Sequence, residues 1–333
     1  MDRRRHPFYK HSDAAFFVAE SEGDTLARVA VLENRRYNAF NQSKVAFFYY
    51  FDTVDDTDAA VAVLDAAAYW ARQRGLDRLL GPKGLLRSDP YGILVEGFEY
   101  DAALSMPYNY DYYPRLVETA GFEKLLDYLS GYVERGMRLP ERLVRMVDKI
   151  KQRYGFEVRS FRNKRELQRL VPQIQRINNE AFTDVWGYYP IDTDEVEMIS
   201  KQLLTIADPR FIKVVVSGDE IAGFLFIFPD ISKALRETRG RLWPLGWIKV
   251  LQAFQTTQRL SGNGVGLLPQ YQGMGASVLL YTEIFKTLVA SRAMHCDVAQ
   301  AMETNVKSLG DMNLLGVNWY KRHRVYQRVL SGM

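Results

Sequence analysis

The strongest constraint on this chain is an order of elements that occurs twice. In the first half, Ala14 to Ala19 and Thr25 to Leu32 flank a Ser21-Glu22-Gly23-Asp24 turn, and Val45 to Phe51 is a continuous apolar run suited to a buried strand. Asp58 to Arg74 is alanine-rich and helical up to Gly75, and Leu76 to Leu80 is a short strand closed by Gly81-Pro82. Tyr112 to Ala120 is a helix stopped by Gly121, and Lys124 to Val133 is a last strand. The second half opens with a strand (Glu157 to Phe161) and helices (Lys164 to Phe182, Thr193 to Ala207), and then repeats the series. It has a hairpin (Phe211 to Val216, Ile221 to Phe228), a strand (Gly264 to Pro269) and a helix (Ala276 to Arg292). A strand (Met294 to Met302), a helix opening near Asn305 and a strand (Val317 to Val329) complete it. Between the halves, Arg138 to Tyr154 is predicted as a bridging helix, with Leu139, Leu143, Met146, Val147 and Ile150 on one face. The expected division is 1–135, a linker at 136–155, and 156–333, which 333 residues are enough to fill.

Gln272-Gly273-Met274-Gly275-Ala276-Ser277 lies where a buried strand meets an amphipathic helix. A tight glycine turn at a helix opening presents free backbone N–H groups and the positive end of the helix dipole to one point, which suits a phosphate or pyrophosphate. Its plainer reading is an ordinary strand-to-helix turn.

Composition excludes several classes. A net charge of +4 comes from 44 cations interspersed with 40 acids, which gives no concentrated basic face for nucleic acid. The single cysteine, Cys296, rules out a disulfide framework or thiolate metal cluster, fits a reducing cytoplasm, and reads as a buried inert thiol. Four histidines without ligand spacing leave no expected metal site. No signal peptide and no run approaching the ~20 apolar residues of a membrane span is visible.

The repeated order, with its glycine turn, resembles the GNAT acyl-CoA N-acyltransferase superfamily, well over residues 156 to 330 and weakly over the first half. The implied fold is α/β (α+β): two tandem GNAT-like domains, each a mixed, mostly antiparallel sheet flanked by helices. The superfamily turn is Gln/Arg-x-x-Gly-x-Gly/Ala; Gln272 and Gly275 match it, and Ser277 is a mild departure. The resemblance implies acetyl-CoA or a longer acyl-CoA as cosubstrate, with no permanently bound cofactor. It places the donor on Val265, Gly266, Leu267, Leu268, Gln272, Gly273, Met274, Gly275, Ala276, Ser277 and Asn305. In the first half the corresponding loop is Val54-Asp55-Asp56-Thr57-Asp58, whose carboxylates repel a pyrophosphate. The donor is therefore expected in the second half only. The resemblance also implies an opening strand and helices ahead of Met1, so the first copy is expected to be incomplete.

N-acyl transfer needs a polarised thioester carbonyl, an amine that loses a proton and a thiolate that leaves. The resemblance assigns the first to backbone N–H groups of Val265 to Leu268. Its base is a glutamate acting through water, here Glu303 or Glu180. Each also suits a structural role, Glu303 as a helix-terminus charge and Glu180 as a solvated surface acid. The tyrosine that many members carry four residues before the closing glycine is Met312 here, with Tyr281 and Tyr320 as unranked substitutes. His295 and Asp297 share one strand face, where a structural role is favoured. Finally, Trp243 to Leu251 combines tryptophans, aliphatics and cations: either a helix packed between the halves, or an apolar lid or membrane-interfacial segment. The expected function is transfer of an acyl group from CoA to a primary amine, with a long-chain or lipid amine favoured by that insertion. The expected location is the cytoplasm or the inner membrane face. A non-catalytic acyl-CoA sensor is the alternative, and an aminoacyl-tRNA donor a third reading that the dispersed charge disfavours.

Overall fold

A computed structural model describes residues 2–136 and 138–330. The chain forms β1 (Asp13–Ser21), β2 (Asp24–Glu33), α1 (Arg35–Asn41), β3 (Val45–Thr53), α2 (Thr57–Arg72), β4 (Arg78–Gly81), β5 (Ile93–Glu96), α3 (Tyr113–Thr119) and β6 (Glu123–Glu134). The bridging helix α4 (Glu141–Tyr154) leads to β7 (Phe156–Ser160), α5 (Lys164–Gln168), α6 (Val171–Ala181) and α7 (Thr193–Ile206). Then come β8 (Ile212–Ser217), β9 (Glu220–Pro229), α8 (Ser232–Glu237), α9 (Gly246–Thr256) and β10 (Arg259–Leu267). The chain ends with α10 (Ala276–Ala290), β11 (His295–Met302), α11 (Val306–Leu314) and β12 (Asn318–Val329).

All twelve strands form one sheet in the order β1-β2-β3-β4-β12-β6-β11-β10-β9-β8-β7, with β5 also paired to β12. The pairs β3–β4 and β10–β11 are parallel, one in each half, and every other pair is antiparallel. The repeat read from the sequence is thus a repeat in space. Its last strands are exchanged: β6 from the first half pairs with β11, and β12 from the second half pairs with β4. β6 and β12 pair with each other at the centre, so neither half closes its sheet alone.

Helices cover both faces. The buried alanines of α2 (Ala59, Ala60, Ala67, Ala68, Ala71) let it lie close on the first half's strands. On the second half, α4 and α10 share a core with Leu225, Ile227, Leu260 and Cys296. On the opposite face, α6 packs on Phe224, and Leu203 and Leu204 of α7 pack by Phe228. The single helix expected over Lys164 to Phe182 is instead two. Pro172, in the first turn of α6, has no N–H to continue α5, so the chain re-starts there. β10 begins at Arg259, five residues before the expected start, because glycine and polar residues mask its first half. The insertion between β9 and β10 does not pack between the halves: α9 contains no buried residue. No helix among the described residues is long and apolar enough to cross a membrane.

Candidate active site

The site begins where β10 and β11 part. They pair only from Arg259–His295 to Gly262–Val298. Beyond that, β10 has a bulge at Asn263 against β9, and β11 has one at Ala299 and Gln300 against β6. An extra residue bends its strand away from the ladder, so two facing bulges open a gap between parallel neighbours. Leu268 N–H donates to the Ala222 carbonyl at 2.9 Å, on the β9 side. By the alternation of a strand, the N–H groups of Val265 and Leu267 then face the gap. Of the four residues expected to polarise a carbonyl, these two have the right direction, whereas the backbone of Leu268 is engaged elsewhere.

The glycine turn follows directly. Gly273 and Gly275 have φ of 76° and 86°, a left-handed conformation open to glycine. Gly275 is also pressed against α4: a Cβ there would lie 2.5 Å from Ile150 Cδ1. Among the described residues no side chain caps α10; Val278 N–H donates to the Gly275 carbonyl at 3.0 Å, and the N–H groups of Ala276 and Ser277 stay available to an anion. Burial pushes the Asp311 carboxyl above its usual range, and the nearby Ser277 hydroxyl opposes that shift. The equivalent helix of the first half is closed off: Asp56 accepts from Ala59 N–H at 2.9 Å. Arg115 pairs with Asp55 beside it.

Two apolar cavities meet at the gap. One, about 210 Å³, lies on the α10 face and is lined by Val265, Tyr281, Met302, Asn305 and Met312 among others. The other, about 290 Å³, lies under α6 and α7, lined by Ile174, Leu203, Phe226 and Phe228, with Arg87, Asn178 and Asn263 as polar points. Phe182 and Gly264 line both. The larger approaches the lower size limit of ligand pockets.

The first half supplies part of each wall. Tyr128 and Val133 of the exchanged β6 face the α10-side cavity. Tyr128 stacks on Tyr91 at 5.0 Å, and Gln300 clasps the Tyr91 backbone through both its amide atoms at 3.1 and 2.6 Å. Behind Tyr91 lies Lys83, fully buried, its Nζ 4.8 Å from the Tyr91 ring and without a hydrogen-bond partner among the described residues. Burial pulls its ammonium down to about 8. Arg87 donates to the carbonyls of Tyr189 and Asn178 at 3.0 and 3.1 Å, so it is fixed at the mouth of the α6-side cavity. Sequence reasoning missed Tyr91, Tyr128, Arg87, Phe182 and Gln300. No local pattern marks them, since strand exchange and loop packing bring them to the gap.

Asn305 lines the cavity and also caps α11, accepting Ser308 N–H at 3.1 Å. Glu303 follows Met302 but points out of the gap. Its carboxylate accepts Lys124 Nζ and Asp127 N–H, each at 2.9 Å. Glu180 pairs with Arg176 at 2.9 Å and is 41% exposed. Neither carboxylate is in a cavity wall, and among the described residues no carboxylate or imidazole lines either cavity. Met312 stands in the wall of the α10-side cavity, as does Tyr281, whose hydroxyl burial and the nearby Asp311 hold firmly protonated. Tyr320 lines neither cavity and donates to Asp297. Asp297 also takes Arg259 and His295 at 3.2 Å each. Burial pushes its carboxyl up, but bonds from His295 and Tyr320 outweigh this and hold it below the usual range. Arg259, His295 and Tyr320 thus gather around the buried Asp297 carboxylate. Cys296 is buried and its thiol is pushed up by desolvation, the inert state.

No protein-family model matches the chain. Among known proteins it is 25% identical to the bacterial ceramide synthase of Caulobacter vibrioides over 346 aligned positions, covering 98% of this chain and 86% of that protein. It is 24% identical to Protein YghO of Escherichia coli over 270 positions, 79% of this chain and 68% of that one. Among solved structures it resembles a tandem GNAT protein from the clavulanic acid biosynthesis pathway (TM-score 0.53, 9% identity, 97% and 85% covered). It also resembles a GCN5-related N-acetyltransferase from Sphaerobacter thermophilus (TM-score 0.54, 14% identity, 96% and 82% covered). The chain has the tandem GNAT fold.

Proposed function

We propose that this protein is a CoA-dependent N-acyltransferase whose acceptor is a long-chain or lipid amine. The observation that carries the reading is the β10–β11 gap, which joins an uncapped glycine turn to two apolar cavities. The pyrophosphate of the donor sits on residues 272–277, and its pantetheine arm runs back along β10 into the gap. Cavities on both faces leave room for hydrocarbon on either side of the reacting carbon. The similarity to a ceramide synthase over nearly the whole chain supports a lipid amine, because a ceramide is the amide of a long-chain amino alcohol.

In this reading the amine nitrogen attacks the thioester carbon while Val265 and Leu267 N–H groups bind the developing oxyanion. The C–N bond forms and the C–S bond breaks. The Tyr281 hydroxyl donates a hydrogen bond to the departing sulfur, whose thiolate is a good leaving group. With no carboxylate of the described residues in either wall, the amine proton passes to water in the gap. The first half serves as a wall and carries no second donor.

The test is thiol release from acetyl-, octanoyl- and palmitoyl-CoA with a sphingoid-type amino alcohol, with the amide identified by mass spectrometry. Palmitoyl-CoA is expected to turn over faster than acetyl-CoA. Calorimetric binding of acyl-CoA with no release for any amine would favour the sensor reading.

A further inference from the structure

The insertion between β9 and β10, residues 231–258, contributes no residue to either cavity. Its charge is one-sided. Lys233, Arg236, Arg239, Arg241 and Lys249 stand against Glu237 alone, a net of +4, which equals the formal net charge of the entire chain. The rest of the protein therefore balances to zero. Arg236 is paired with Asp101 at 2.6 Å, and Lys249 approaches Glu237 only to 3.9 Å. Lys233, Arg239 and Arg241 have no carboxylate partner among the described residues.

Between these cations the stretch from Leu242 to Leu251 holds apolar side chains in solvent. Trp243 is 83% exposed, Leu245 66% and Leu251 55%, with Trp247 and Ile248 also exposed on α9. The indole N–H of Trp247 is already satisfied by the Pro244 carbonyl at 2.9 Å, so its ring can leave water without stranding a donor. Contiguous apolar exposure of this kind marks an interaction surface. Tryptophans with aliphatics, rimmed by unpaired cations, match the headgroup boundary of a bilayer.

We propose that this insertion is a membrane-docking surface for bilayers containing anionic lipid. A second copy of the chain fits it poorly, because a symmetric contact would bring two patches of the same +4 charge together. The orientation agrees with the site. The insertion leaves β9 at Pro229 and rejoins β10 at Arg259, while the glycine turn follows Leu267 at the other end, roughly 30 Å away along the strand. Phe228, in the wall of the α6-side cavity, lies two residues before Asp230 of the docking end. A bilayer at the insertion thus sits nearer the hydrocarbon cavity, with the anion cradle turned away. This placement takes its meaning from the lipid-amine reading, but the docking itself does not depend on it.

The test is sedimentation of the whole protein, without either substrate, with vesicles of phosphatidylcholine alone or with 30 mol% phosphatidylglycerol, a composition set by the experimenter at about one anionic lipid in three. Partition into the anionic vesicles is expected to exceed that into neutral ones by roughly 100-fold, about fivefold for each of the three unpaired cations, and to fall in high salt. R239Q/R241Q is expected to lower anionic partition by roughly 25-fold, about fivefold per cation, and leave the neutral baseline unchanged. Trp243→Ala with Leu251→Ala is expected to lower both. Circular dichroism checks that these exposed changes leave the fold intact. Equal partition into both vesicle types, or none, overturns the proposal. So does a concentration-dependent dimer in light scattering that Trp243→Ala with Leu251→Ala abolishes, since a second copy would then cover the face. Lack of turnover on every amine would sink the enzymatic reading and leave the vesicle result standing.

Discussion

Gly275→Ala separates two reasons for glycine in the turn. The first is conformational: φ is 86°, and a left-handed residue with a Cβ costs roughly 1–2 kcal/mol. The second is steric. The new methyl would lie 2.5 Å from Ile150 Cδ1 and 2.9 Å from Cγ1, and overpacking of this kind costs about 1–3 kcal/mol. The sum is about 2–5 kcal/mol. At about 2.1 cal/mol/K of unfolding entropy per residue, a chain of 333 residues loses roughly 1.4 °C of Tm per kcal/mol, so a fall of about 3–7 °C is expected. Gly273→Ala is the control: φ is 76°, but nothing lies within 4 Å of its Cβ, so only the conformational cost applies. In a double-mutant cycle, Ile150→Ala should restore about 1–3 kcal/mol in the Gly275→Ala background relative to additivity. Acyl-CoA affinity by calorimetry should fall in both glycine variants, and Ile150→Ala should recover only part of the Gly275→Ala loss. Scanning calorimetry and denaturant midpoints measure the stability terms. Equal destabilisation by the two alanines, with no coupling to Ile150, would refute the packing of α4 under the turn.

Tyr281→Phe should lower kcat by about 10- to 100-fold with little change in KM, the loss of one hydrogen bond to a charged leaving atom. A poor-thiol donor should exaggerate the effect. Glu303→Gln should keep kcat within about threefold and stability within about 1 kcal/mol, as expected for a partly exposed ion pair with Lys124. A loss of 10²-fold or more would instead identify Glu303 as the base, the range general-base catalysis supplies. Lys83 gives a pH signature. Its folded value of about 8 lies below its ordinary 10.5, so between those two pH values the unfolded chain binds the extra proton and stability rises with pH. That contribution is lost as pH falls through 8. Lys83→Met should flatten the wild-type rise over this window by on the order of 3 kcal/mol, read from denaturation midpoints at pH 7.5 and 10.5.

Much of the architecture is legible in local sequence. The alanines of α2, the period of α10 and the apolar run of β3 each report their own burial, because 3.6- and 2-residue periods follow from backbone geometry. Gly273 and Gly275 announce a left-handed turn for the same local reason. Asp56 likewise announces a helix end closed to anions. Pro172 announces the break between α5 and α6, whereas β5 and α1 are short segments without a clear period. Glu303 and Glu180 are base candidates only through the resemblance and their places at element ends. Position along β11 could not reveal that Glu303 meets Lys124, a residue 179 positions earlier.

Sequence by itself therefore determined most of the elements, their repeated order, and a glycine turn at an uncapped helix start. Tertiary structure decided which strands pair. Backbone edges carry the same donors and acceptors whatever their side chains, so nothing local to β6 or β12 specifies an exchange between halves. That exchange puts Tyr128 beside the gap and binds both halves into one sheet. Tertiary structure also decided exposure. Trp243 and Leu251 have the composition of a core segment, yet the fold offers them no partner surface, and they stand in water beside unpaired cations.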